Sequence, residues 1–396
     1  MKHRGRHRRR RRGRALRATL AGTALALTAA ATLISASQAT NGTDPGALQP
    51  LTSPAETRAL ELRPASLRSA PRPVAPVGVG AVLAEADRTL RNDGECTGAE
   101  RAALPVEPAA ARAWCWGEAD TEGWLPGAVT TSGDADDDGR WGADRVILSG
   151  WSDAEGAARV AFVDAGTPGR LAYTLVPLVV PTAQGRAYRP LESRLSGMVW
   201  YQDKLLVTGG DGEALHVYDL DRIERTGVGA ARGDRFVLSA VATYRLGGDA
   251  RIGSLSLDRS TTPDTLVASE SVPAGSDRPT RLWRYSLREG ASGAGLLSTS
   301  PRDAYETRAA GVRGVLARGS DWYLARAADG HDGNGTLWRQ DAEGARAARC
   351  GTDETYLCWS GPAQPLSYWA ETGEVWSQSG RMLFSLPLAR IDRSLG

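Results

Sequence analysis

Between residues 124 and 388 one order of short strands recurs five times, and this recurrence limits the fold more than any other feature of the chain. A glycine-bearing strand comes first: WLPGAVT (124–130), RLSGMVWY (194–201), RIGSLSL (251–257) and AAGVRGVLA (309–317), with YLCWSG (356–361) in its place in the last unit. An apolar strand follows: ADRVILSGW (143–151), DKLLVTG (203–209), PDTLVAS (263–269), DWYLARA (321–327) and LSYWAE (366–371). The third strand is the clearest: VAFVDA (160–165), LHVYDL (215–220), LWRYSL (282–287), LWRQDA (337–342) and VWSQSG (375–380). A fourth reads LAYTLV (171–176), ATYRLG (242–247), GLLSTS (295–300) and RMLFSLPL (381–388), with ARAARC (345–350) in the fourth unit. Short apolar runs bounded by Gly, Asp and Pro are strand signals, and no helical period interrupts them.

One such four-stranded meander cannot bury both of its faces, whereas several packed radially can. The expectation is therefore an all-β body over 121–396, a β-propeller of five four-stranded blades, with a β-sandwich pair or an irregular all-β domain as the competing arrangements. In the propeller Gly197, Gly253 and Gly311 lie innermost, where a missing side chain lets backbones approach. Trp283, Trp338 and Trp376, at equivalent strand positions, pack between blades and are not sugar platforms. The motifs WLPGAVT, GMVWYQDKLLVTG and LHVYDLDRI resemble a group of uncharacterised secreted β-propeller-like proteins of actinobacteria, and the likeness to propellers covers 121–390. That resemblance implies export and a propeller-like body, and implies no activity. The Gly-His…Trp-Asp pattern of WD40 repeats and the kelch double glycine are both missing.

The N-terminus is of another kind. Ten of the 48 basic residues fall within the first 17 positions, where there is no acid, and without them 38 basic face 46 acidic residues. A basic run, then Ala18 to Ile34 rich in Ala, Leu and Thr, then Ser37-Gln38-Ala39, has the three regions of a signal peptide over 1–39. An uncleaved signal anchor is the competing reading. After cleavage no stable membrane span is expected, and the acidic body argues against nucleic acid as a partner. Residues 40–80, rich in Pro, Ala, Ser and Thr, read as a disordered linker. Residues 81–120 read as a small disulfide-bearing cap of their own, or as packing for the main body.

Cys96, Cys115, Cys350 and Cys358 are an even set, oxidised in an exported chain. Of three pairings, Cys96–Cys115 and Cys350–Cys358 close the shortest loops and are expected. The histidines beyond the leader are His216, in a strand, and His331, in a turn; neither sits in a catalytic or zinc pattern. No GxSxG occurs. The stretch 227–233 (GVGAARG) follows no strand and opens no helix, so it is no dinucleotide loop.

Three features carry candidate chemistry. Asp134-Ala135-Asp136-Asp137-Asp138-Gly139, with Asp144, has the D-x-D-x-D-G form of a calcium loop, read with Asp134, Asp136, Asp138 and Asp144 as ligands. An arginine, Arg145, stands at the EF-hand glutamate position, and an acidic solvated hairpin is the alternative. Counting back from the inner glycines, Trp124, Arg194 and Arg308 form a candidate ligand ring suited to an anionic or polyhydroxylated molecule. Glu122, Asp203, Glu270, Asp321 and Glu371 are acids that a propeller would bring toward its axis, as a glycosidase pair requires. Two functions follow as expectations. The first is a secreted, monomeric, non-catalytic propeller that binds an extracellular ligand or protein, without cofactor unless calcium is bound. The alternative is a secreted carbohydrate-active enzyme, glycosidase or lyase.

Overall fold

The structure, a computed structural model, describes residues 44–67, 76–167, 169–182, 187–226, 235–291, 293–328, 333–351, 356–362 and 364–395. The leader 1–39, the stretch 227–233 and His331 lie outside the described residues. From Asp44 onward the chain is mostly β and is built from five antiparallel meanders of four strands. The first is Trp124–Thr131, Val146–Asp153, Ala158–Asp164 and Ala172–Pro181; the second is Met198–Tyr201, Lys204–Gly209, Ala214–Asp219 and Phe236–Leu246. The third is Ile252–Asp258, Thr265–Glu270, Thr280–Ser286 and Asp303–Thr307; the fourth is Val312–Arg318, Asp321–Arg326, Thr336–Gln340 and Ala345–Ala347. The fifth runs Ser367–Trp369, Glu374–Ser379 and Met382–Pro387, and its fourth strand is Arg112–Cys115, from far upstream. The last strands of the first and second meanders also pair with each other, in parallel, at Leu178–Leu238 and Val179–Ser239.

Several expectations need correction. The fourth strand of the third unit is Asp303–Thr307; the run 295–300 instead buries Leu296 and Leu297 in the core. In the last unit every strand is displaced by one. YLCWSG is not a strand, LSYWAE supplies the first, and Arg112–Cys115 completes the meander by pairing with Met382 to Ser385. A pairing across so long a separation leaves no local period to read. Of the two expectations for residues 81–120 the pairings favour packing on the main body over a cap of their own, since Arg88–Thr89 also pairs with the first meander.

Nor is the described part of 40–80 a disordered linker. Gln49–Pro50 extends the third meander and Leu62–Ser66 covers the edge of the second. Between them Pro54–Ala59 is a short helix that starts with proline behind the N-cap Ser53. Leu48, Leu60 and Leu62 are buried, and these three anchors fix a segment whose average composition is that of disorder.

The apolar cores have a cyclic order. One joins the first and second meanders through Leu148, Phe162, Trp200 and Val207, and another joins second and third through Val199, Leu206, Leu255 and Trp283. Val267, Val315, Leu324 and Trp338 join third and fourth, and Leu316, Tyr323, Val375 and Phe384 join fourth and fifth. Trp116, Ile147, Trp151, Trp369 and Trp376 then join the fifth to the first. Trp283, Trp338 and Trp376 are thus buried between successive meanders, as expected.

The first strands approach closely at glycine. A Cβ on Gly127 would stand 1.8 Å from Leu195 O, and one on Gly314 would stand 1.8 Å from Gln364 O. Gly197 meets Leu255 in the same way. Gly311, with φ +74°, precedes its strand, so the close contact in the fourth meander belongs to Gly314. Both expected disulfides, Cys96–Cys115 and Cys350–Cys358, are formed, with Cα separations of 5.9 and 5.8 Å.

Candidate functional site

The structure disperses the residues that sequence placed together. Trp124 opens the first strand of the first meander, half-buried, with the Arg159 guanidinium 3.6 Å from its ring centroid. Arg308 is exposed after the last strand of the third meander and lies beside Gly46. Arg194 is exposed in the lead-in to the second meander, where its amide donates to Asp211 Oδ1 (3.4 Å). The neighbours of the three differ: Arg159 for Trp124, Asp211 for Arg194 and Gly46 for Arg308.

The acidic loop is likewise not a shared carboxylate cage. The short helix Ser132–Ala135 turns Asp134 inward, where its carboxylate accepts from Thr130 Oγ1 (2.6 Å) and Ser367 Oγ (2.8 Å). Asp136 and Asp138 are exposed and accept from backbone amides of their own loop, at Asp138 and Arg140. Asp144 stands against Gly80. Among the described residues these four carboxylates do not converge on one point.

The five scattered acids also have separate neighbours. Glu270 is buried between Arg278 (2.7 Å) and Arg281 (2.8 Å), Glu371 receives Arg145, and Asp203 pairs with Lys204. Asp321 begins a hairpin strand, and exposed Glu122 ends the helix Glu118–Thr121.

What the fold does assemble is a cleft of about 350 Å³ against the first meander. Its floor is apolar: Ala158, Leu175, Leu178 and Val179, with Pro177 and Pro190. Trp124 forms part of the wall, and the rim is a chain of fixed charges. Asp120, carried by the helix Glu118–Thr121, accepts from Arg88 Nε (2.9 Å) on one oxygen and from Tyr173 OH (2.6 Å) on the other. Burial first, and then the Asp120 carboxylate, push the Tyr173 phenol far up, so it remains a neutral donor. Asp87 bridges Arg88 (2.6 Å) and Arg235 (2.8 Å), and Arg159 donates to Asp120 O while stacked on Trp124. An apolar floor with a few oriented polar groups is the usual construction of a small-ligand site, and the volume falls in that range. Of its residues only Trp124 was singled out in the sequence. Asp87, Arg88, Asp120, Arg159 and Arg235 belong to no motif and meet only through the N-terminal pairings.

A second, smaller pocket of about 160 Å³ lies where the first strands end, lined by Asp134, Asp258, Arg259, Ser260, Arg318 and Tyr368. Burial raises the Asp134 pKa to about 6, against the hydrogen bonds from Thr130 and Ser367 and the Arg259 charge. Asp258 is 1% exposed, so both acids are part of the wall more than of the opening. With the geometry described, comparison adds no relative: no family model matches the chain, and no curated protein is similar to it in sequence.

Proposed function

We propose that the five meanders are the blades of a five-bladed β-propeller, and that the protein is an exported, non-catalytic binding module whose ligand sits in the cleft beside Trp124. The cyclic order of the five cores supports the propeller, and Arg112–Cys115 acts in it as the strand that closes the ring. Two disulfides suit an oxidising compartment, as does the leader read from the sequence. No helix among the described residues is long and apolar enough to cross a membrane.

The observation that carries the binding reading is the cleft itself, with an apolar floor, an indole wall, and a rim whose charges are already held in pairs. Such paired charges orient a polar ligand without offering a free acid or base. The test is an array of soluble oligosaccharides and short peptides probed with the chain from Asp44 onward. Retention of at least one class, lost in Trp124→Ala with the fold intact, is the expected result. The glycosidase reading keeps one supporting observation, the buried pair Asp134 and Asp258 lining one pocket, with Asp134 carrying a raised pKa. Reducing-end release from a retained glycan, abolished in Asp134→Asn, would replace the binding module with that enzyme.

A further inference from the structure

We propose that the smaller pocket, where the first strands end, is a second binding site for a single sugar acid, with the ligand's carboxylate on Arg318 and its hydroxyls on Asp134 and Asp258. Its volume of about 160 Å³ lies below the range of about 300–1,000 Å³ usual for drug-sized ligands, which limits the occupant to roughly one sugar ring.

The wall is a closed circuit of contacts. Arg259 Nη2 donates to Asp134 O (2.7 Å), and the Asp134 carboxylate accepts from Ser367 Oγ (2.8 Å), the residue before Tyr368. The Tyr368 ring centroid lies 5.5 Å from the Arg318 guanidinium. The amide of Gly319, next in the chain, donates to Ser260 Oγ (2.7 Å), and Ser260 donates in turn to Asp258 Oδ1, which returns the circuit to Arg259. The first, third, fourth and fifth meanders each supply part of this wall, so the pocket forms only when they have packed together.

The polar groups of the circuit are unequally used. Arg259 is committed, since besides Asp134 O it pairs with Asp137 and with Asp264 (3.3 Å). Asp134 takes its hydrogen bonds from Thr130, Thr131 and Ser367 on Oδ2 alone. Asp258, 1% exposed, accepts from Ser260 on Oδ1, whereas its buried Oδ2 has no hydrogen bond and stands 3.5 Å from Arg284 Nη2. A buried acceptor without a donor is costly. Each acid already has a guanidinium near it, Arg259 for Asp134 and Arg284 for Asp258, so the pocket calls for neutral donors more than for a further cation. Hydroxyls are such donors. Arg318 is the cation left over: it is exposed, and among the described residues it makes no ion pair, even with its cross-strand neighbour Asp321. Its guanidinium fork at the opening matches a carboxylate.

The test uses galacturonate, galactose, acetate and glycine as probes, all at one ionic strength set with sodium chloride. Galacturonate at tenfold over its Kd is expected to raise the melting temperature by about 2 °C, and the other three at the same concentration by clearly less. Arg318→Gln should fold as wild type does, because that side chain is exposed, and its response to galacturonate should fall to the level of galactose. Arg318→Lys should restore part of the rise. Trp124→Ala, which disables the cleft, keeps the full response, so the two sites fail separately. The proposal is overturned by no rise with galacturonate, by a rise that survives in Arg318→Gln or is lost in Trp124→Ala, or by galactose, acetate or glycine matching galacturonate.

Discussion

Asp134 accepts a 2.8 Å hydrogen bond from Ser367 Oγ, joining the first meander to the last across 233 positions of sequence. The same carboxylate oxygen accepts from Thr130 Oγ1, which in turn accepts from the Trp200 amide of the second meander. Arg259, just past the first strand of the third, donates to Asp134 O (2.7 Å). One buried acid thus links the first meander directly to the fifth and to the end of the third's first strand, and through Thr130 to the second. Burial raises its pKa from 3.8 to about 6 in the fold, so between those pH values the folded state holds the proton more tightly. Stability from this group is greatest at low pH and falls as pH rises to 6, by roughly 3 kcal/mol at most. Asp134→Asn removes the penalty. Urea unfolding at pH 4 to 7 should show the variant gaining on wild type as pH rises, and a difference independent of pH refutes the assignment.

His216 acts in the opposite sense over an overlapping range. Burial, then the Arg189 and Arg245 charges, lower its pKa to about 4, so the unfolded chain holds the proton between pH 4 and 6.5. Its contribution therefore rises with pH across that window and partly cancels that of Asp134. His216→Gln should steepen the decline of stability between pH 4 and 6, while Asp134→Asn should reverse it. An imidazolium signal in the folded protein at pH 5.5 would sink this account.

Calcium makes a simple case. Asp134 faces inward, and Asp136 and Asp138 serve their own loop, so no shared cation is expected to hold the hairpin. Millimolar calcium or a chelator should leave the melting temperature unchanged. A calcium-dependent rise that disappears in Asp136→Ala would restore the metal loop.

The strand repeat was legible because it is local: alternating apolar residues, turn glycines and a recurrent tryptophan all lie within one meander. Trp283, Trp338 and Trp376 took the expected place, and so did both disulfides, since each closes a short loop. The fifth meander was misregistered because Arg112–Cys115 pairs with Met382 to Ser385, a relation without any local signal. Leu48, Leu60 and Leu62 were lost in a composition that averages to disorder. The cleft was the least legible part. Arg88, Asp120, Arg159 and Tyr173 are unremarkable singly, and become a rim only after the N-terminal segment has docked.

Docking of that segment is itself testable. Cys115 lies in the strand that completes the fifth meander and is tied to Cys96, a loop of 19 residues. Loss of such a crosslink removes about 3 kcal/mol. Cys96→Ser/Cys115→Ser together should lower stability by that order, and hydrogen exchange should rise first along Arg112–Cys115 and Met382–Pro387. Uniform loss of protection over all five meanders, with no early opening there, would contradict closure by this strand.

The two tryptophans Trp338 and Trp124 separate architecture from binding. Trp338 is 3% exposed, packs in the core between the third and fourth meanders, stacks with Tyr356 at 5.8 Å, and donates from Nε1 to Thr336 Oγ1 (3.0 Å). Its replacement by alanine leaves a large cavity between two sheets and should cost about 3–5 kcal/mol. Trp124 is half-buried at the cleft wall, and its main partner is the Arg159 cation. A contact of that kind contributes about 0.5–2 kcal/mol, so Trp124→Ala should fold, unfold at only slightly lower urea, and lose the ligand retained on the array. Trp338→Ala should bind normally at temperatures where it remains folded. Equal losses of stability in the two variants, or ligand binding that survives Trp124→Ala, would separate the cleft from function and leave Trp124 as one more packing residue.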